Sequence, residues 1–115
     1  MCPSPPQPFP AEGTLDLPGR PRPVYTPGHT DGHCAFQLPE RGVVISGDGL
    51  VSGHPTSRVK GPQLLPDMFH HERARAVASL DVFAGLEGDV LLPGHGPVHR
   101  GPVREAALQA RDRAL

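Results

Sequence analysis

At 115 residues the chain has room for one domain with a modest core. Its 11 basic residues against 12 acidic ones exclude a global field for nucleic acid or an acidic membrane surface. The 14 glycines and 16 prolines make up about a quarter of the sequence, roughly twice average usage, so their positions must separate low complexity from frequent turns. Nine of the 16 prolines fall within the first 27 residues. Residues 1–12 are therefore expected to be a Pro-rich, disordered N-terminus and residues 13–115 a folded domain.

Cys2 and Cys34 form no C-x-x-C pair, which argues against a cysteine zinc site or a disulfide framework and for a reducing compartment. The first residues have neither a basic nor an apolar signal region, and no apolar run approaches the ~20 residues of a membrane span. A soluble, cytoplasmic protein is expected.

In chain order, Thr14–Leu17 and Pro23–Tyr25 read as short strands, and Pro27-Gly28 ends the second just before His29. Cys34–Leu38 is a third strand, followed by turn-forming Pro39–Gly42 and a β-branched run from Val43 to Ile45 that ends at Gly47-Asp48. Residues 49–66 are rich in glycine and proline without periodicity and read as a long loop over a site. Asp67 offers an N-cap for a helix reaching about Gly85, striped by Phe69, Ala76, Leu80 and Phe83 and carrying His70 and His71 at its start. Val90–Leu92 is a buried strand ending at Pro93-Gly94, before His95. Pro102 opens a closing helix with Val103, Ala106, Ala107 and Ala110 on one face.

Three glycine-bounded turns thus each lift one metal-binding side chain out of the end of an apolar strand: His29, Asp48 and His95. Imidazole and carboxylate together suit zinc and similar divalent ions. His33 lies four residues past His29 in a turn, which favours a supporting role and leaves it a reserve ligand. His54 on the long loop is a candidate to face substrate, a solvated loop position being the alternative.

Pro27-Gly-His-Thr-Asp-Gly-His33, Ser46-Gly-Asp48-Gly and Leu92-Pro-Gly-His-Gly-Pro97, taken in this order, resemble motifs of the metallo-β-lactamase-fold hydrolases, which include glyoxalase II type thioesterases and lactonases. The resemblance runs over about residues 13–115. It implies an α/β (α+β) fold corresponding to the C-terminal half of an αββα sandwich: one mixed sheet with helices on one face. By resemblance, His29 binds a first zinc, Asp48 bridges two ions and acts as the catalytic carboxylate, and His95 binds the second. The implied activity is hydrolysis of a thioester, lactone or phosphodiester by hydroxide generated on the metal. Aspartate at position 48, where several true β-lactamases carry cysteine, makes a β-lactam substrate the less favoured one.

The family's His-x-His-x-Asp-His signature is absent from this sequence, and with it the remaining ligands that the resemblance calls for. With three donors shared between two ions, weak or single zinc binding is expected, because catalytic zinc sites ordinarily have three protein ligands each. Half a sandwich also leaves one sheet face open to water, so a homodimer or association with a separate N-terminal half is expected. The alternative function is a non-catalytic truncated remnant or interaction module with at most weak metal binding.

Overall fold

The computed structural model describes Phe9 and residues 13–114. Apart from Phe9, whose ring meets Phe36 edge-on at 5.5 Å, the segment expected to be disordered lies outside the described residues. The sheet has five strands in sequential order: β1 (Arg22–Tyr25), β2 (Cys34–Leu38), β3 (Val43–Gly47), β4 (Val90–Pro93) and β5 (His99–Arg100). The pairs β1–β2, β2–β3 and β4–β5 are antiparallel and β3–β4 is parallel, so the sheet is mixed.

Two helices, α1 (Arg73–Ala84) and α2 (Val103–Ala114), cover one face. The two-residue alternation of a strand decides which side chains they bury. Ala35, Val44 and Leu91 pack at 0% exposure against Ala76, Leu80 and Phe83 of α1 and Val103, Ala107 and Ala110 of α2. Their neighbours Phe36 and Ile45, which pair across β2 and β3, point to the opposite face, and Ile45 is exposed. There Phe9, Leu15, Leu17, Pro18, Pro21, Phe36, Leu38 and Ile45 line an apolar hollow of about 450 Å³.

Several local expectations are corrected. Thr14–Leu17 forms no strand; residues 15–21 fold into a compact turn closed by Leu15 N–H on the Pro21 carbonyl and Arg20 N–H on that of Leu17. Prolines at 18 and 21 remove the donors a strand would need there. The long helix begins at Arg73 rather than Asp67. Asp67–Phe69 is a separate 3-10 turn, and the Asp67 carboxylate pairs with Arg73 at 2.7 Å. The interruption has a tertiary cause, since His71 N–H donates to His29 O and Glu72 N–H to Gly28 O instead of continuing a helical ladder. Phe69 is consequently exposed, while Phe83 is fully buried as its stripe position implies. The 49–66 segment is irregular but anchored, with Leu50, Val51, Leu64 and Leu65 in the core and a Val51–Gln63 bridge closing it.

Candidate functional site

Strand direction brings the three predicted turns together. β1 and β3 each run antiparallel to β2, and β4 runs parallel to β3, so β1, β3 and β4 all end at the same edge of the sheet. Loops at the carboxyl ends of parallel strands are where such sheets place ligands.

β3 ends at Gly47 with φ +54°, a left-handed conformation that glycine adopts without strain. Gly49 N–H closes the turn on Ser46 O, and the buried Ser46 hydroxyl donates to Leu50 O at 2.6 Å, holding Asp48 clear of the strand. The neighbouring turn is locked to it by Gly94 N–H on Gly47 O at 2.7 Å. From the other side, Ser52 N–H donates to His95 O and the Ser52 hydroxyl to Pro97 O. The His29 turn is docked on α1 by Ser79 Oγ donating to Pro27 O at 2.6 Å and by the two backbone bonds from residues 71 and 72.

Asp48 stands between the two histidines. Its Oδ1 accepts from His95 Nδ1 at 2.8 Å, and its Oδ2 lies 3.3 Å from His29 Nε2. A carboxylate oxygen only accepts, so His95 carries its proton on Nδ1 and keeps the Nε2 lone pair. All three side chains are partly accessible, at 20% for His29, 29% for Asp48 and 40% for His95.

His33 packs under this centre. Its Nδ1 bonds to Thr26, with the hydroxyl at 2.9 Å and the carbonyl at 3.1 Å, so Nδ1 carries the proton. Its Nε2 abuts Gly47, where an added Cβ would lie 3.0 Å away. The His33 ring therefore buttresses the Asp48 turn. Sequence reasoning missed His70, which it placed at the start of a helix. The ring of His70 lies edge-on to that of His29 at 5.5 Å, and its Nε2 is bonded to Leu65 O at 3.0 Å. Nothing in a motif marks it, because the contact depends on the 65–72 segment folding back onto the His29 turn. The Nδ1 atoms of both His29 and His70 are buried without a hydrogen-bond partner among the described residues. His54 lies with its ring 5.0 Å from that of His95 and 5.1 Å from that of Phe69, so the loop residue does reach the site.

The donor types fit a divalent ion. A tetrahedral zinc with ligands at 2.0–2.1 Å requires donors about 3.3 Å apart, the separation of His29 Nε2 and Asp48 Oδ2. The number of donors falls short: among the described residues no group of three or more His, Cys, Asp or Glu side chains is arranged to hold a metal ion. His29, Asp48 and His95 thus bring together donor types that a divalent ion accepts, without a full ligand set among the described residues.

Burial lowers the pKa of His33, with His29 adding to the effect and the Thr26 carbonyl and Asp48 opposing it. His70 is lowered by burial too, with the Leu65 carbonyl opposing and His29 and Arg73 reinforcing. Both rings favour the neutral form. As pH falls below about 6.5 the unfolded chain takes up protons that the folded chain resists, so these two groups make stability decline on acidification. The expected result is a lower urea midpoint at pH 5.5 than at pH 7.5, with a shallower pH slope in His33→Gln and His70→Gln. Equal slopes in all three proteins would remove these groups from the account.

A steric test of the site comes from Gly94, where an added Cβ would lie 2.4 Å from Asp48 Oδ1 and 3.0 Å from Gly47 C and O. Gly94→Ala should displace the carboxylate from His95 while leaving every donor in the chain. The expected readout is a changed His95 ring NMR signal, with a stability loss of about 1–3 kcal/mol from overpacking.

The model for the metallo-beta-lactamase superfamily matches residues 3–95. The "Probable metallo-hydrolase YflN" of Bacillus subtilis (strain 168) is 30% identical over 82 residues, covering 64% of this chain and 30% of that protein. The structure of the metallo-beta-lactamase family protein TTHA1429 from Thermus thermophilus is similar, with a TM-score of 0.67 and 32% identity, over 95% of this chain and 36% of that one. TTHA1623, solved in a di-iron-bound form, is similar with a TM-score of 0.53 and 33% identity, over 95% of this chain and 49% of that one. This chain thus spans between about a third and a half of the length of these three proteins.

Proposed function

The chain belongs to the metallo-beta-lactamase superfamily, and we propose that it supplies the carboxyl-end half of a metal-dependent hydrolase site acting on a small thioester, lactone or phosphodiester. The observation that supports this reading is the convergence of three distant turns on Asp48, whose carboxylate lies 3.3 Å from His29 Nε2 and 2.8 Å from His95 Nδ1. His29 and Asp48 would hold one ion and His95 would offer its Nε2 to the other, and zinc suits the donor set, with iron as the metal of one similar structure. A bound divalent ion supplies polarisation of the carbonyl or phosphoryl oxygen and lowers the pKa of water. The chain's own groups position that chemistry. His33 fixes the Asp48 turn, and the Nδ1 bond to Asp48 orients the His95 ring with its Nε2 lone pair free.

The remaining ligands would come from a separate N-terminal half or from an upstream stretch. The exposed apolar face around Phe36 and Ile45 supports such a covering partner, or a second copy of the chain. A chain that is stable alone and a monodisperse monomer in light scattering counts against the need for either partner. The cytoplasm is the proposed compartment, on a sequence whose two cysteines form no C-x-x-C motif; among the described residues no helix is long and apolar enough to cross a membrane.

The test is metal content by mass spectrometry on the purified chain, alone and with an N-terminal half carrying His-x-His-x-Asp-His. At most one weakly held ion per chain is expected alone, rising towards two with thioesterase or lactonase activity on complementation. No metal and no activity in either state would favour the second reading, a non-catalytic truncated remnant or interaction module.

A further inference from the structure

The ring of His54 is fixed in a way that its place on a glycine- and proline-rich loop does not announce. Its Nδ1 receives the Thr56 backbone N–H at 3.2 Å and lies 2.8 Å from the Thr56 hydroxyl. A backbone N–H can only donate, so Nδ1 serves as acceptor and the neutral ring carries its proton on Nε2. That Nε2–H makes no hydrogen bond with the described residues. The loop beneath is not free to swing, because Ser57 N–H closes on His54 O, the Ser57 hydroxyl bonds the buried Gln63 side chain, and Val51 pairs with Gln63.

The surroundings of His54 are of two kinds. On the site side stands His95, 5.0 Å away between ring centroids and itself bonded to Asp48. The other neighbour is Phe69, 5.1 Å away and 41% exposed, on a 3-10 turn whose Met68 is 82% exposed. That turn is held from below by Phe69 N–H on Pro66 O and by His70 Nε2 on Leu65 O. An aromatic ring kept at the surface by a braced turn, next to a histidine with one unused donor, makes an apolar wall beside a hydrogen-bond donor. That pairing recognises an oxygen attached to an apolar chain.

We propose that His54 and Phe69 form an acyl-binding subsite at the rim of the centre. His54 Nε2–H donates to the carbonyl or carboxylate oxygen, and Phe69 packs along an aliphatic chain of several carbons. This deepens the hydrolase reading by choosing acyl compounds with an apolar chain, a thioester or lactone, over a phosphodiester. His54 is here a positioning residue: it holds the acyl oxygen next to the Asp48–His95 pair.

The proposal rests on the reading of the function above, yet the subsite is testable without metal. Hexanoate and acetate would be titrated into the metal-free chain, followed by ¹H–¹⁵N spectra and long-range ¹⁵N spectra of the histidine rings. Hexanoate should bind about tenfold more tightly than acetate, because added methylenes leave water against Phe69, and its shifts should centre on His54 and Phe69. His54→Leu and Phe69→Ala should each weaken hexanoate about fivefold or more, while His54→Gln, which keeps an N–H donor, should recover most of the affinity. Equal binding of the two acids, shifts centred on Phe36 and Ile45 of the open sheet face, or unchanged affinity in His54→Leu would overturn it. So would a wild-type spectrum with the His54 proton on Nδ1, a readout independent of any variant's folding. Because hexanoate binding is read without metal, failure to load metal leaves this result standing, and the reverse also holds.

Discussion

Asp48→Ala is expected to weaken zinc binding by the chain by about a hundredfold, below detection for a site that is already short of donors. Losing even an outer partner of a metal ligand typically costs 10–100-fold in affinity. Asp48 is more central than that, because it lies in contact range of both histidines, at 3.3 Å and 2.8 Å. Without it, His29 and His95 each stand alone, and one imidazole does not retain a divalent ion against solvent. Asp48→Asn separates charge from shape, since its amide oxygen still accepts from His95 Nδ1 while the negative charge is gone. Metal affinity should fall in Asp48→Asn nearly as far as in Asp48→Ala, with the His95 ring signal close to wild type. Chelator competition with mass-spectrometric metal counts measures both. Wild-type metal retention in Asp48→Ala would mean that the ion, if any, binds elsewhere.

Gly28→Ala should be the most damaging small substitution, costing about 3 kcal/mol or more and lowering the melting temperature by roughly 10 °C or more. Gly28 has φ +133°, and an added Cβ would sit 2.1 Å from Ala76 N and 2.4 Å from its Cα. Those are backbone atoms of α1, so no side-chain rotation relieves the clash. Separation of the turn from the helix would also break the bonds from Glu72 N–H to Gly28 O and from His71 N–H to His29 O. His29 would then lose its place opposite Asp48, and metal affinity should fall along with stability. Gly32→Ala is the matched control, four residues along the same turn in open space with nothing within 4 Å, and should change stability by less than about 0.5 kcal/mol. Thermal unfolding of the two variants side by side decides the matter; equal melting temperatures would show that the turn does not depend on its approach to α1.

Local chemistry made a large part of this protein legible in one dimension. The β-branched run at Val43–Ile45, the apolar run at Val90–Leu92 and the Pro-Gly or Ser-Gly pairs after them determined where strands stop and which side chain emerges, so the placement of His29, Asp48 and His95 on turns at strand ends was readable. The Ala76–Leu80–Phe83 stripe likewise determined the buried face of α1. The sequence also shows no His-x-His-x-Asp-His motif within these 115 residues.

Only the tertiary structure decided the rest. The helix start moved from Asp67 to Arg73 because the N–H groups of residues 71 and 72 bond to the His29 turn, a partner more than 40 positions away that no local propensity can register. For the same reason His70 comes to lie beside His29, and His54 between Phe69 and His95, although none of these pairs is close in sequence. Strand direction is also a property of the assembled sheet. That β1, β3 and β4 end at one edge, and so gather three distant turns around a single carboxylate, follows from hydrogen-bond pairing between strands and not from the composition of any one of them.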